Sequence, residues 1–426
     1  QNAWIRLPSM QGLWRLRRGM PGKGNRDGEG GTITMKVALE TNQLIALAMK
    51  QIEPHVVAAY PITPSTEVVQ EFSQYVANGD VKTEFVPVES EHSAMSACLA
   101  ASLSGARVMT ATASQGLAFM WEMLHIAAAS RAPIVTIVAN RALSAPINIH
   151  GDHADAMGAR DTGWLQLWAE TAQEAYDNTI QAIKIAEDPR VRFPMLVNYD
   201  GFTTSHAVET VEILDDEQVR SFLGSAPKPT YSLLDTEHPA SFGVLALQDY
   251  YMEFRRAQAE AYKNVKDVVL EVAEDYAKLT GRKYGILEEY KLDDAEVVLI
   301  AMNSAAGTAK ETVDLLRSQG KKVGVLKIRL FRPFPVEEIR SALSNAKSVV
   351  VMDRAYTYGG PSGPLFEEIA TALVNETKKP LLGNVIAGLG GRDITMEDIE
   401  QVFDLGYKAL EKGNFEPLVS WVGVRE

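Results

Sequence analysis

Two turns that follow predicted strands carry residues capable of substrate binding or acid–base chemistry. Thr63 lies between Pro61 and Pro64, which restrict the backbone and leave its hydroxyl available to position a substrate. The alternative is that Thr63 only caps the next helix. Glu89 and Glu91 follow an apolar strand and begin a helix of small residues. A carboxylate at this place can act as an acid or base, although helix starts also favour acids for structural reasons.

Two further turns offer a close approach to the backbone and a fixed positive charge. Residues 110–116 are rich in small side chains but lack the Gly-Lys-Ser/Thr ending of a Walker loop. Arg141 follows the apolar run 134–138, and its guanidinium can bind a carboxylate through two hydrogen bonds. Asp152 and His153 resemble metal ligands, but an active-site loop held by hydrogen bonds contains the same residue types. We favour the loop and predict no metal site.

Alternating strands and helices must position these turns. The spacing of apolar residues predicts helices over 38–51, 65–77, 92–104, 116–129 and 171–187, and strands over 56–60, 83–88, 107–111, 133–138 and 193–198. A second α/β unit has predicted strands at 296–302, 322–328, 348–352 and 382–387. This order is typical of a parallel sheet with helices on both faces, and ligands bind at the carboxyl ends of such strands.

Composition excludes several classes of protein. The 426 residues contain 46% hydrophobic and 23% charged side chains, which is typical of a folded, soluble protein. The formal net charge of −13 argues against binding to nucleic acid or to anionic membranes. Cys98 is the only cysteine, so this chain alone cannot form a disulfide, an iron–sulfur cluster or a thiolate zinc site. We expect Cys98 to be a small buried side chain.

The chain divides into four predicted parts. Residues 1–34 are rich in arginine and glycine. We expect them to be a poorly ordered, dispensable extension upstream of a natural start at Met35. The alternative is a transit peptide. The remaining parts are a first α/β domain at 35–235, a linker and helical segment at 236–291, and a second α/β domain at 292–426.

Several ordered motifs along the chain together resemble one family. They are Tyr60-Pro-Ile-Thr-Pro-Ser65, Glu89-Ser-Glu91, Thr112-Ala-Ser-Gln-Gly116, Asn140-Arg-Ala-Leu-Ser144, Gly151-Asp-His153, Asp200-Gly-Phe-Thr-Thr-Ser-His206, Asp249-Tyr-Tyr-Met-Glu-Phe254, Arg329-Leu-Phe-Arg-Pro-Phe334 and Gly388-Leu-Gly-Gly-Arg-Asp393. In this order they resemble the alpha subunit of 2-oxoacid:ferredoxin oxidoreductases, and most closely the pyruvate (pyruvate synthase) type. The resemblance extends over about residues 36 to 400.

The resemblance implies a thiamine diphosphate enzyme whose site is shared between chains. The first domain would be the pyrimidine-binding domain, and the second would be a transketolase C-terminal-like domain. The Gly-Asp-Gly diphosphate motif is missing, since Gly151-Asp152 continues with His153. The family places that motif, with its magnesium, on a beta subunit, and places iron–sulfur clusters on the beta and delta chains. The resemblance also implies gamma and ferredoxin-like delta subunits, ferredoxin as the electron acceptor, coenzyme A as a co-substrate and a cytoplasmic location.

The same resemblance assigns roles to individual residues. Glu91 matches the glutamate that hydrogen-bonds N1′ of the aminopyrimidine and acts as the catalytic acid/base. Thr63 and Arg141 match residues that bind the 2-oxoacid, and Asp152 and His153 lie in a loop near it. The expected reaction is oxidative decarboxylation of pyruvate with coenzyme A, or its reverse. The same chemistry on 2-oxoglutarate, branched-chain 2-oxoacids or oxalate stays open, as does a non-catalytic scaffold subunit.

Overall fold

The computed structural model describes residues 34–425 and contains two sheets of mostly parallel strands. The expectation for residues 1–33 lies outside the described part of the chain. The first sheet has the strand order β12-β6-β7-β5-β4-β2-β3. Its strands are β2 (Val56–Ala59), β3 (Glu84–Pro87), β4 (Val108–Thr112), β5 (Ile134–Asn140), β6 (Leu165–Trp168), β7 (Met195–Asp200) and β12 (Leu330–Arg332). Only β12 runs antiparallel to its neighbour.

Helices cover both faces of this first sheet. They are α1 (Thr41–Ile52), α2 (Thr66–Ala77), α3 (Glu91–Leu103), α4 (Ser114–Phe119), α5 (Trp121–Ala129), α6 (Ala154–Gly158), α7 (Ala172–Glu187) and α8 (Asp216–Leu223). Every residue of β4, β5, β6 and β7 is buried, as expected for strands covered on two sides. The predicted helix over 116–129 is two helices, because the chain turns at Met120.

The chain starts differently from the sequence prediction. Residues 35–40 form β1 (Met35–Glu40), which pairs antiparallel with β8 (Val208–Ile213), so the first helix begins at Thr41 rather than at residue 38. The partner strand is distant in the sequence. A helical pattern is read from neighbouring residues, so it cannot show that residues 35–40 pair with a distant strand.

The second sheet has the strand order β15-β14-β13-β10-β11-β9. Its strands are β9 (Leu287–Tyr290), β10 (Val297–Ala301), β11 (Val323–Ile328), β13 (Ser348–Asp353), β14 (Leu381–Ile386) and β15 (Val419–Trp421). The helices of this unit are α11 (Ala305–Ser318), α12 (Val336–Ala342), α13 (Pro364–Leu373) and α14 (Met396–Lys412). The four predicted strands are present, whereas β9 lies within the segment 236–291 that the sequence predicts to be a linker.

Two connections join the halves of the chain. The helical segment contains α9 (Tyr251–Ala261), a short 3-10 turn and α10 (Val265–Thr280), and α10 buries its valines in the core of the first sheet. Strand β12 leaves the second unit and extends the first sheet, where Leu330 pairs with Leu167. The sequence boundary at residue 292 therefore does not separate the two sheets, because β9 precedes it and belongs to the second sheet, whereas β12 follows it and belongs to the first. Among residues 34–425 no helix is both long and apolar enough to cross a membrane.

Candidate functional site

The turns predicted to carry chemistry lie along one edge of the first sheet, because its parallel strands all end there. Arg141 follows β5, and its Nη1 donates to the carbonyl oxygen of Thr63, in the turn after β2, at 3.0 Å. Its Nε donates to the carbonyl oxygen of Asn148 at 2.9 Å. The helix after Thr63 begins at Thr66 with Ser65 as its N-cap residue, so the alternative that Thr63 caps this helix is wrong.

Arg141 is buried but does not pair with an acid. Its residue surface is 6% exposed, and both of its side-chain hydrogen bonds go to carbonyl oxygens. Within residues 34–425 no carboxylate forms a salt bridge with it, and its Nη2 donates to no acceptor. A guanidinium normally satisfies its charge with a carboxylate or phosphate when it is buried. Arg141 can therefore bind an anion that comes from outside the chain.

Glu91 is the first residue of α3 and lies in the most unusual environment of the site. Ser90 caps the helix by accepting a hydrogen bond from the backbone of Ser93, so Glu91 is not needed as the cap. Glu91 is 7% exposed. Its carboxylate receives no hydrogen bond and forms no ion pair with any residue in the described part of the chain. The chain does not fully enclose its oxygens, so a hydrogen-bond donor from another molecule can reach them.

Gly116 and Thr112 lie directly against the Glu91 carboxylate. A Cβ atom at Gly116 would lie 2.4 Å from Thr112 Oγ1 and 2.8 Å from Glu91 Oε1, so only glycine fits at this position without movement of Glu91 or Thr112. The Thr112 hydroxyl is buried and also has no hydrogen-bond partner in the structure. These features fit an aminopyrimidine ring, which offers N–H donors. The neighbouring Glu89 is exposed. A hydrogen bond from the Ser93 side chain lowers the pKa of the Glu89 carboxyl. Both features are those of a residue at the protein surface.

The loop 151–155 joins the two halves of the chain. Asp152 accepts hydrogen bonds from the backbone N–H groups of Ala154 at 3.0 Å and Gly390 at 3.1 Å, and burial raises the pKa of its carboxyl. His153 Nε2 lies 3.0 Å from Asp200 Oδ1, and burial lowers the pKa of its imidazole. Neither residue belongs to a group of possible metal ligands among residues 34–425.

Asp200, at the end of β7, connects the two sheets, and the sequence reasoning did not identify it as a site residue. Its carboxylate forms an ion pair with Arg354 Nη1 at 2.6 Å and accepts the backbone N–H of Ser304 at 3.1 Å. Burial by itself raises the pKa of Asp200, but Arg354 and His153 outweigh burial and hold that pKa well below its usual range. Arg354 and Ser304 follow β13 and β10, so the carboxyl ends of both sheets face each other here.

A glycine-rich loop of the second unit lies directly against this edge. The N–H of Gly391 donates to the carbonyl of Gly151 at 2.6 Å, and Asn148 Nδ2 donates to the carbonyl of Gly390 at 2.9 Å. A Cβ atom at Gly391 would lie 2.3 Å from His150 Cβ, which explains why glycine is needed for this approach. The second unit therefore holds the loop that carries Arg141.

Cys98 does not contribute to the site. It is fully buried, and burial raises the pKa of its thiol to about 12, so a thiolate does not form near neutral pH. The prediction of a small buried side chain is confirmed.

Comparisons with known proteins agree over most of the chain. The family model "Pyruvate flavodoxin/ferredoxin oxidoreductase, thiamine diphosphate-binding" matches residues 47–274, and "Pyruvate:ferredoxin oxidoreductase core domain II" matches 295–399. Pyruvate synthase subunit PorA of Thermotoga maritima is 53% identical over 87% of this chain and 94% of its own length. The PorA subunit of Pyrococcus furiosus is 46% identical over 92% of this chain and 98% of its own. Ketoisovalerate oxidoreductase subunit VorA of Pyrococcus abyssi is 43% identical over 91% and 97%.

A solved structure supports the fold. The 2-oxoglutarate:ferredoxin oxidoreductase of Magnetococcus marinus, with 2-oxoglutarate, coenzyme A and succinyl-CoA bound, superposes with a TM-score of 0.67 at 19% identity. The match covers 92% of this chain and 69% of that one. Together with the family model, this confirms the predicted fold class of a thiamine-diphosphate-enzyme domain in an α/β protein.

Proposed function

Because the chain belongs to the pyruvate:ferredoxin oxidoreductase family, we propose that it is the alpha subunit of a pyruvate synthase. The proposed complex converts pyruvate and coenzyme A to acetyl-CoA, carbon dioxide and a proton, while two electrons reduce ferredoxin; the reverse reaction uses the same site. The observation that carries this proposal is the buried Glu91 carboxylate, which has no donor among residues 34–425 and lies against Gly116.

Each of the three predicted site residues has a distinct proposed task. Thiamine diphosphate, when bound, supplies the electron sink that decarboxylation of a 2-oxoacid requires. Glu91 accepts the hydrogen bond of N1′ of the pyrimidine ring and holds the proton at that atom. Arg141 binds the substrate carboxylate with its free Nη2, while Thr63 and Asn148 hold the other side of its guanidinium. The Thr63 hydroxyl, which is on an exposed residue, orients the 2-oxo group.

Partner chains must supply the rest of the site. The motif Gly-Asp-Gly is absent from this sequence, so we propose that a beta subunit binds the diphosphate and its magnesium. The single buried cysteine cannot bind a cluster, so iron–sulfur clusters belong on the beta and delta subunits, with a gamma subunit completing the complex. Ferredoxin is the proposed acceptor, and we expect the complex in the cytoplasm.

Turnover by the assembled complex tests the proposal. The tagged chain is purified anaerobically with the proteins that accompany it, and viologen reduction is followed with pyruvate, coenzyme A and thiamine diphosphate. We expect reduction that depends on coenzyme A. In the same complex Glu91→Gln should lower kcat by about 100-fold or more, because general acid–base groups contribute on this order. The matched control is Glu89→Gln, an exposed neighbour whose change should leave turnover intact. Nearly full turnover with Glu91→Gln contradicts the assigned role and favours the non-catalytic scaffold.

A second candidate substrate is a branched-chain 2-oxoacid. It is favoured by the ketoisovalerate oxidoreductase subunit that matches this chain at 43% identity. Measuring 2-oxoisovalerate and 2-oxoglutarate beside pyruvate separates these candidates, since preference for either one keeps the role of Glu91 but changes the substrate. We expect pyruvate to have the highest kcat/KM.

A further inference from the structure

Asp155 is a buried acid whose hydrogen bonds go to the backbone of two different turns of the site. Its Oδ2 accepts the N–H of Ser114 at 2.9 Å and the N–H of Arg141 at 3.0 Å. Its Oδ1 accepts Asn140 Nδ2 at 3.0 Å and the N–H of Ala156 at 2.7 Å. Asp155 is 4% exposed and forms no ion pair with any residue of the described chain. One oxygen atom therefore bridges the turn after β4 and the turn after β5.

The two bridged turns carry the proposed cofactor and substrate contacts. Ser114 lies two residues before Gly116, the glycine that contacts Glu91, and its φ of 48° is unusual for a residue other than glycine. The hydrogen bond from its N–H to Asp155 stabilises this conformation. A second link connects the same turns, because the Ser114 hydroxyl donates to the carbonyl of Ala142 at 2.5 Å. The turn of Arg141 cannot move without the turn of Gly116.

We propose that Asp155 is a positioning residue that sets the distance between the cofactor side of the site, at Glu91 and Gly116, and the substrate side, at Arg141. This inference rests on the proposed function of the site. A carboxylate suits the task because each oxygen accepts at least two hydrogen bonds, which no other side chain of this size can do. Burial raises the pKa of Asp155 to about 6, and the four donors oppose this shift and favour the ionised form.

Substitutions in the assembled complex separate positioning from general stability. Asp155→Ala leaves three buried backbone N–H groups, those of Ser114, Arg141 and Ala156, without this acceptor, and we expect the turns to move apart. We expect kcat/KM for the 2-oxoacid to fall by roughly 10- to 100-fold, with a higher KM, since small misplacements of reacting groups have effects of this order. We also expect weaker binding of thiamine diphosphate by the complex, measured by calorimetry without substrate. Asp155→Asn keeps one oxygen that can accept the N–H groups of Ser114 and Arg141 but turns its amide nitrogen toward the N–H of Ala156, so its KM should lie between those of wild type and Asp155→Ala.

A second buried acid provides the matched control. Asp353 accepts the N–H groups of Leu365 at 2.7 Å and Phe366 at 3.1 Å and also Asn384 Nδ2 at 2.9 Å, so its bonding resembles that of Asp155 in the other sheet. Asp353→Asn should lower the melting temperature and leave the 2-oxoacid KM and thiamine diphosphate binding unchanged. If Asp155→Ala does not assemble, Asp155→Ser replaces it, because a hydroxyl is too short to reach both turns.

The outcomes distinguish this inference from the proposed function. If Asp155→Ala, or Asp155→Ser in its place, lowers only the melting temperature, Asp155 is a residue of the fold and the inference is wrong. If the KM of Asp155→Asn is as high as that of Asp155→Ala, one oxygen that bridges the two turns is not sufficient, and the inference is again wrong. Failure of the wild-type complex to turn over any 2-oxoacid, or full activity of Glu91→Gln, instead contradicts the proposed function.

Discussion

The close approach of Gly116 to Glu91 predicts that one added methyl group disables the site without unfolding the protein. In Gly116→Ala the new Cβ would lie 2.8 Å from Glu91 Oε1 and 2.4 Å from Thr112 Oγ1. Gly116 lies within helix α4, and its φ is not in the left-handed region, so alanine can adopt its backbone conformation. Alanine also favours a helix over glycine by about 1 kcal/mol. The substitution should therefore act on the position of the Glu91 carboxylate.

The size of the effect follows from that contact. Nonbonded heavy atoms rest at about 3.5 Å or more, so the carboxylate must move by roughly 0.5 to 1 Å. Misplacement of a catalytic group by about 1 Å costs on the order of 100-fold in rate. We expect kcat of the assembled complex to fall by about 10- to 100-fold, which corresponds to about 1.4 to 2.7 kcal/mol of transition-state stabilisation. The melting temperature should change little.

Viologen reduction by the complex, with saturating pyruvate, coenzyme A and thiamine diphosphate, measures this loss. The control is Gly158→Ala, because Gly158 ends helix α6 and a Cβ there meets nothing within 4 Å. It should keep full activity. If the effect of Gly116→Ala acts through Glu91, it should add little to Glu91→Gln in the double variant. Wild-type kcat in Gly116→Ala, or full additivity of the two changes, refutes the reasoning.

Three further predictions follow from single contacts. Arg141→Lys should raise the KM for pyruvate about 10-fold or more, since an ammonium cannot bind two carbonyls and a carboxylate in the geometry of a guanidinium; an unchanged KM contradicts the substrate role. Arg107 forms two hydrogen bonds of 2.8 Å to the Glu187 carboxylate, so Arg107→Met leaves that carboxylate buried without its partner. The free energy of unfolding, measured with denaturant, should fall by about 3 to 5 kcal/mol, while the KM for pyruvate should not change. Burial lowers the pKa of the His153 imidazole below 6.5, although Asp200 opposes this shift. As the pH decreases below 6.5, the unfolded state therefore binds a proton before the folded state does, and the melting temperature should fall. His153→Gln should weaken this pH dependence of the melting temperature.

The strands of the first sheet could be predicted because each one is a local pattern. Residues 134–140 are mostly apolar and rich in β-branched side chains, and all of them are buried in β5. The same local patterns predict that the turns of Glu91 and Arg141 lie at one edge of the sheet, since parallel strands end there, whereas the roles of the two residues rest on the resemblance and stay predictions. Local patterns do not contain pairings between distant residues. Strand β1, which pairs with β8, and strand β12, which joins the first sheet from the second unit, were therefore not predicted.

The contacts between the two sheets were beyond sequence reasoning for a related cause. Asp200 and Arg354 each follow a strand, but nothing in either segment indicates that they form an ion pair at 2.6 Å. The turn Asn303-Ser304 follows a strand as a phosphate loop would, but its sequence favours an ordinary strand-to-helix turn, and it does not indicate that the N–H of Ser304 donates to Asp200. Asp155 lay in a loop recognised as rich in acids and histidines. Its role depends on a carboxylate reaching the backbone of Ser114, which only the folded structure brings near.

The distribution of unpaired charge at this edge separates a working site from a decayed one. Asp155 and Asp200 are buried and have their oxygens satisfied by N–H donors, Arg354 or His153. In residues 34–425 the Glu91 carboxylate receives no hydrogen bond and Arg141 keeps one nitrogen without an acceptor, although both residues are largely buried. A largely buried charge without a partner from its own chain is unfavourable unless another molecule or solvent reaches it. The two groups have opposite charge, and Asp155 connects the turn of Arg141 with the turn of Gly116, which contacts Glu91, so an external donor and an external anion can satisfy both. This arrangement favours a subunit that completes a cofactor and substrate site over a scaffold that has lost one.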